Sequence, residues 1–175
     1  MSWEGRTSVT AGSSPSNDLV ASIIAVLGRT PDDASLQALL KSLGNWPLPE
    51  LGIEETRLFV SDKQRGFSIV FDTASSMPNQ LGAGHAPDTL VLVGCFFYSE
   101  GEEDFRGYAD PLPHDVTWSD TSQTLVKKFG APQNEIVNKK TGNLNSQRWR
   151  FGSHLLTATY RGGGASIKRF YLGMY

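Results

Sequence analysis

The residue types that most often carry out chemistry are few in this chain, and they are scattered along it. Three histidines, His85, His114 and His154, do not stand at the spacing of paired metal ligands, and Cys95 is the only cysteine. We therefore expect no metal and no cofactor, because a structural zinc ion needs four Cys or His ligands. Cys95 lies within an apolar run, which predicts a buried, unreactive thiol.

Two short motifs resemble catalytic or nucleotide-binding sequences but lack their context. Ser119 lies between Trp118 and Asp120, whereas a hydrolase serine typically occupies a G-x-S-x-G elbow. Its position favours a role as a helix N-cap. The stretch LGAGHAP at 81–87 has no third glycine and no following helix, so it is predicted to be a loop rather than a phosphate cradle.

Charge is unevenly distributed, although the net charge is only −2. Residues 99–120 carry seven acidic side chains and one basic one, and residues 121–175 carry nine basic and one acidic. The E-G-E-E-D spacing does not match a calcium-binding EF-hand loop. The segment can be a solvated loop or an anionic face for a basic partner. We call the following six residues the acidic belt: Glu100, Glu102, Glu103, Asp104, Asp110 and Asp115.

The C-terminal part of the chain is correspondingly basic. Arg148 and Arg150 flank Trp149 in a predicted strand, so both arginines share the face opposite the indole. Such a face can contact phosphates, but a pI of about 5.9 argues against a dedicated nucleic-acid binder. A solvated face is the other interpretation. The basic residues can also offset the acidic belt within the fold.

Helical periodicity is confined to three short segments. Apolar residues recur at helical spacing over 19–27, 36–43 and 125–129, and a glycine follows each segment. Thr30 and Ser119 are the predicted N-caps of the second and third helices. Between and after these helices, period-two alternation and apolar runs predict six strands, at Thr56–Ser61, Gly66–Phe71, Thr89–Tyr98, Gln147–Phe151, His154–Tyr160 and Ser166–Leu172.

A shift of 86 residues places the helix at 37–44 on the helix at 123–130, and about three strands follow each. This repeat predicts an α+β fold of two tandem α-βββ-like modules, with helices packed on one face of antiparallel sheet. The predicted divisions of this compact unit are a flexible N-terminal arm at 1–16, a first module at 17–98, an acidic connector at 99–117 and a second module at 118–175.

The N-terminal residues lack the apolar core of a secretory signal, and no run of about 18 apolar residues occurs. These features predict a cytoplasmic protein without membrane contact. The chain also resembles small cytoplasmic immunity proteins of bacterial polymorphic toxin systems, including bacteriocin and type VI secretion pairs, and is similar to beta-lactamase-inhibitor-protein-like folds. The segments that carry the resemblance are LKSLG (40–44), GFSIVF (66–71), TLVLVGCFFY (89–98), GYADPLPHDVTWSDT (107–121), KKFGAP (127–132) and QRWRF (147–151).

This resemblance implies a stoichiometric inhibitor and not an enzyme. Such a protein binds a cognate toxin and neutralises it by occluding the active site. For a nuclease toxin, the acidic belt would mimic phosphate, and nearby aromatic rings would supply the hot spots. The predicted partner-binding residues are Glu100, Glu102, Glu103, Asp104, Phe105, Tyr108, Asp110 and Asp115.

Two other functions are compatible with the residues. One is a small hydrolase or transferase that uses the region Asp110–Asp120 with His114. The other is a nucleic-acid-associated or peptidoglycan-associated scaffold that uses a basic face of Arg148, Arg150 and Lys168. A salt-dependent affinity for DNA or RNA would favour the scaffold.

Overall fold

An antiparallel sheet dominates the structure. The computed structural model describes residues 18–52, 55–77 and 84–175, so the predicted arm at 1–16 lies outside the described residues. The strands are β1 (Arg57–Asp62), β2 (Phe67–Thr73), β3 (Leu90–Tyr98), β4 (Asn134–Val137), β5 (Leu144–Phe151), β6 (His154–Arg161) and β7 (Ser166–Gly173). Their order across the sheet is β1-β2-β3-β7-β6-β5-β4, and all neighbouring pairs are antiparallel.

Three short α-helices accompany the sheet in the described part of the chain: α1 (Leu19–Val26), α2 (Ala34–Ser42) and α3 (Ser122–Phe129). The second and third begin later than predicted, with Asp33 and Thr121 as N-caps in place of Thr30 and Ser119. The Asp33 carboxylate accepts hydrogen bonds from two free backbone N–H groups, and Thr121 forms a capping box with Thr124. Each cap satisfies donors that the first turn leaves unpaired.

The predicted tandem architecture, an α+β fold of two α-βββ-like modules, is wrong. β3 pairs with β7, with Gly94 opposite Gly173 and Tyr98 opposite Arg169, so all the strands belong to one continuous sheet. The helices are short accessories to that sheet and do not organise two modules. The 86-residue repeat reflects two amphipathic helices that both end near a glycine, and the same local rules produce such similarity without duplication.

Six strands lie within three residues of their predicted ranges, and β4 was missed. All four β4 residues are exposed, so the strand shows no alternation between buried and exposed positions. Its partner β5 holds it at the sheet edge by backbone pairing from Asn134 to Val137. Period-two reasoning detects a strand only when one of its faces is buried.

The two faces of the sheet are covered differently. One face, which we call the helix face, joins strand residues such as Phe71 and Phe170 to Ile23, Leu36 and Leu125 of the three helices. The opposite face, which we call the open face, carries a smaller cluster of four buried residues, Val70, Met77, Val91 and Val93, and no helix residue belongs to that cluster.

Cys95 lies on the helix face and has no exposed surface. Burial raises the pKa of its thiol well above the ordinary value. The burial confirms the predicted buried thiol, and the raised pKa disfavours the thiolate, which is the reactive form.

The connector from 99 to 117 runs along the end of the sheet, and backbone and side-chain hydrogen bonds hold it there. The Tyr98 carbonyl accepts a hydrogen bond from the Tyr108 N–H at 2.8 Å, and the Trp118 indole donates to the Tyr108 carbonyl at 2.9 Å. Gly66 lies directly beneath this crossing with φ of +80°, and a Cβ there would collide with the backbone of Gly107 and Tyr108. Only glycine fits both the space and the backbone conformation.

We expect Gly66→Ala to lower the free energy of unfolding by about 2–4 kcal/mol, because it combines a left-handed backbone with a clash against the connector. Gly101→Ala is the matched control, since Gly101 has φ of +76° but open space around its Cα. The control should cost only the backbone term, about 1 kcal/mol. Urea unfolding measures the free energy of unfolding of both variants. Equal decreases would show that a side chain at position 66 does not clash with the connector.

Candidate functional site

The structure separates the predicted aromatic anchors from the protein surface. Phe105 and Tyr108 are only 5% and 4% exposed. The Phe105 ring stacks on Tyr98 with centroids 3.8 Å apart, and Tyr108 packs against Phe97 at 4.7 Å. These rings therefore stabilise the connector, and neither is accessible to a partner in this conformation.

The acidic belt is partly neutralised within the molecule. Glu102 forms ion pairs with Arg161 at 3.1 Å and Lys168 at 3.3 Å, and Glu103 pairs with Arg169 at 2.7 Å. The basic C-terminal residues thus do offset the belt, as one interpretation of the sequence held. Pairs this close to solvent contribute little stability, about 0–1 kcal/mol each. The other four belt residues, Glu100, Asp104, Asp110 and Asp115, are exposed.

Asp120 has a structural role before α3. Its carboxylate accepts hydrogen bonds from the Thr117 N–H at 2.8 Å, the Thr124 hydroxyl at 3.0 Å and the Lys128 ammonium at 2.8 Å. Burial opposes ionisation, but the bonds from Lys128 and Thr117 outweigh it and lower the pKa of Asp120. The carboxylate is therefore held as an anion by its own loop and helix.

His114 and His154 form a pair at one end of the sheet. Their Nε2 atoms are 3.4 Å apart and their ring centroids 5.7 Å apart, so the two atoms point at each other. His114 also stacks on Phe151 at 4.2 Å. One neutral ring can donate to the other, whereas two protonated rings would oppose like charges.

The open face is the side of the sheet against which no helix of the described residues packs. Residues that are directly opposite each other on antiparallel strands share a face, so the strand register defines it. One row crosses the whole sheet through Ser61, Ser68, Phe96, Tyr171, Thr157, Arg148 and Asn134. A neighbouring row runs through Tyr98, Arg169, Thr159, Ser146 and Ile136.

Arginines on the open face differ in their counter-ions. Arg57 holds the buried Asp72 carboxylate with two hydrogen bonds, at 2.5 and 2.7 Å. Arg169 pairs with Glu103. Arg148 donates through Nε to the Thr157 hydroxyl at 3.2 Å and has no carboxylate partner among the described residues. Positive charge on this face is therefore concentrated around β5.

A groove of about 490 Å³ runs along the open face between β3 and β5. Its floor includes Phe96 and Tyr171, whose ring centroids lie 4.6 Å apart, and the Arg169 guanidinium sits 5.1 Å from the Phe96 ring centre. A second hollow of about 560 Å³ shares Phe96 and Arg169 and extends toward Phe59. The two hollows adjoin and share aromatic and cationic walls, and the second is also lined by the Glu103 carboxylate.

Sequence reasoning identified part of this face. Arg148 and Arg150 do share the face opposite Trp149. Lys168 does not join them, because it lies at a register shift and pairs with Glu102. Phe96 and Tyr171 were missed. Phe96 lies in an apolar run without alternation, so the sequence does not assign it to a face, and the pairing of β3 with β7 was needed to bring the two rings together.

Comparisons with known proteins do not assign this chain to a family. No protein-family model matches the sequence, and no curated protein matches it. The structure is similar to a DUF4309 family protein, YjgB, from Bacillus subtilis, with a TM-score of 0.44, 12% sequence identity and coverage of 84% of this chain and 79% of that chain.

Two further findings concern the described residues alone. None of their helices has the length and apolar character needed to cross a membrane. Nor do these residues include a group of three or more His, Cys, Asp or Glu side chains placed to hold a metal ion.

We expect stability to fall as pH decreases below about 6.5, because burial and the nearby His114 lower the pKa of His154 in the folded chain. Below its ordinary pKa of 6.5, the unfolded chain binds more protons at this position, so stability falls progressively until the pH lies below the folded pKa, and the loss then stays constant. Urea unfolding from pH 7.5 to 5.0 measures the effect. His154→Gln should reduce the loss and His85→Gln should not; an unchanged pH dependence in His154→Gln would contradict the assignment.

Proposed function

We propose that this protein is a cytoplasmic immunity protein that binds a cognate bacterial toxin and occludes its active site. We further propose that the open face is the surface that contacts the toxin. The observation that supports this proposal is a sheet face that combines aromatic rings with arginines and against which no helix of the described residues packs. Aromatic residues and arginine are the side chains that most often dominate the energy of protein interfaces.

The open face suits this role better than the acidic belt does. In the belt, Glu102 and Glu103 already have internal cationic partners, and the rings of Phe105 and Tyr108 are buried. On the open face, Phe59 is 48% exposed, and Arg148 has no acidic partner among the residues described. The complementary toxin surface would carry carboxylates beside apolar groups.

A protein partner fits this face better than a nucleic acid. Strong binding to a polyphosphate backbone requires many uncompensated cations, because affinity arises from the counter-ions that they displace. Here Asp72 and Glu103 neutralise Arg57 and Arg169, and the whole chain has a net charge of −2. The strands also give the face a rigid backbone, which limits the entropy lost on binding.

The test is co-expression with the product of the adjacent reading frame, where a cognate toxin is expected, followed by titration of the two purified proteins. We expect survival of the cells and a stoichiometric complex. Arg148→Glu should weaken the complex at least tenfold, because it places a like charge against the proposed acidic surface.

Two charge-reversal controls separate the possible surfaces. Lys127→Glu alters an exposed residue of α3 and should leave affinity within about twofold. Glu100→Lys alters the acidic belt and should have an equally small effect. A large loss with Glu100→Lys and none with Arg148→Glu would move the interface to the belt, and absence of a complex would refute the immunity function.

A further inference from the structure

We infer that the groove over Phe96 and Tyr171 binds a carboxylate that is carried next to an apolar or aromatic group. This inference deepens the proposed function, on which it rests for the source of the group: an acidic residue of the toxin. The groove's volume of about 490 Å³ lies within the range of sites that hold small ligands or individual side chains.

Charge selects an anion at this position. Arg57, Arg148 and Arg169 line the groove. Asp72 and Glu103 neutralise Arg57 and Arg169 from outside its lining, so Arg148 is the lining arginine that has no carboxylate partner among the described residues. The Arg148 Nε donates to the Thr157 hydroxyl. The terminal N–H groups of Arg148 have no acidic partner in the described ranges. A guanidinium matches a carboxylate geometrically, with two parallel donors against two oxygens.

Arg169 has unused hydrogen-bonding capacity as well. Its Nη1 donates to Glu103 at 2.7 Å, but its Nε is buried and has no hydrogen-bond acceptor within the described structure. Buried donors are nearly always paired in folded proteins, so an unpaired one calls for an explanation. Because this Nε is buried, a ligand in the groove cannot reach it in this conformation, and the site depends on Arg148 and the aromatic floor.

The aromatic floor of the groove favours a ligand that carries an apolar group beside its carboxylate. The Phe96 and Tyr171 rings lie 4.6 Å apart at a 41° angle, and Arg169 already covers part of Phe96. The Thr157 and Thr159 side chains complete the wall between the rings and β5. An aromatic group placed on these rings would bury apolar area while its carboxylate reached Arg148, since the strands of Tyr171 and Arg148 are about 10 Å apart.

An inorganic anion would contact the arginines of this site but not its aromatic floor. Phosphate would meet the guanidinium groups but would leave the aromatic floor exposed to water. We therefore expect the groove to prefer an aromatic carboxylate over both inorganic phosphate and an uncharged aromatic amide.

The experiment is an NMR titration of the ¹⁵N-labelled protein with three probes: N-acetylphenylalanine, its amide, and inorganic phosphate at equal ionic strength. We expect N-acetylphenylalanine to shift the amide signals of Phe96, Thr157 and Tyr171. The amide should bind at least tenfold more weakly, since it lacks the charge-assisted hydrogen bonds. Phosphate should shift these signals at least tenfold less at the same concentration.

Arg148→Gln should abolish the preference for the acid over the amide, and Lys127→Gln should preserve it. Circular dichroism and thermal unfolding of both variants verify that they fold. Equal binding of acid and amide, equal binding of phosphate, or shifts confined to other surfaces would each overturn the inference. The probes need no toxin, so a protein that binds the acid but no toxin would refute the proposed function and leave this site standing.

Discussion

The pairing of β3 with β7 is the constraint on which the rest of the structure depends. These strands are separated in sequence by the connector, α3 and three other strands, yet they meet at the centre of the sheet. Gly94 lies opposite Gly173, and the Tyr171 ring crosses the space that their side chains would fill, since a Cβ on Gly94 would lie 2.5 Å from the Tyr171 hydroxyl. That hydroxyl donates to the Val93 carbonyl at 3.1 Å. The two glycines thus allow the central strands to hold an aromatic ring flat against the sheet.

This central pairing fixes what each face can do. On the helix face, Phe97 and Phe170 are aligned beneath the helices and complete the main core. On the open face, the same register aligns Phe96 with Tyr171 and Tyr98 with Arg169. Ion pairs from Glu102 and Glu103 to Lys168 and Arg169 of β7 hold the connector against the end of the sheet. The proposed binding surface and its border therefore follow from one set of backbone hydrogen bonds.

Local signals in the sequence were sufficient for most elements but not for their assembly. Alternation located β2 and β7 closely, and Leu36, Leu39 and Leu40 marked the buried side of α2. A pattern of period two does not say which strands are neighbours, so the repeat suggested two modules where β3 and β7 form one sheet. In the same way, charge clustering suggested an acidic surface, because the sequence does not show that Arg161 and Lys168 return to Glu102.

Arginine footprinting with phenylglyoxal, read by mass spectrometry on the free protein and on its mixture with the proposed toxin, tests the central claim most directly. Arg148 and Arg150 report on the open face, Arg106 reports on the acidic belt, and Arg29 lies beside α2. The account predicts that toxin binding protects Arg148 and Arg150 and leaves the labelling of Arg29 and Arg106 unchanged. Protection of Arg106 or Arg29 with full labelling of Arg148 and Arg150 would contradict it.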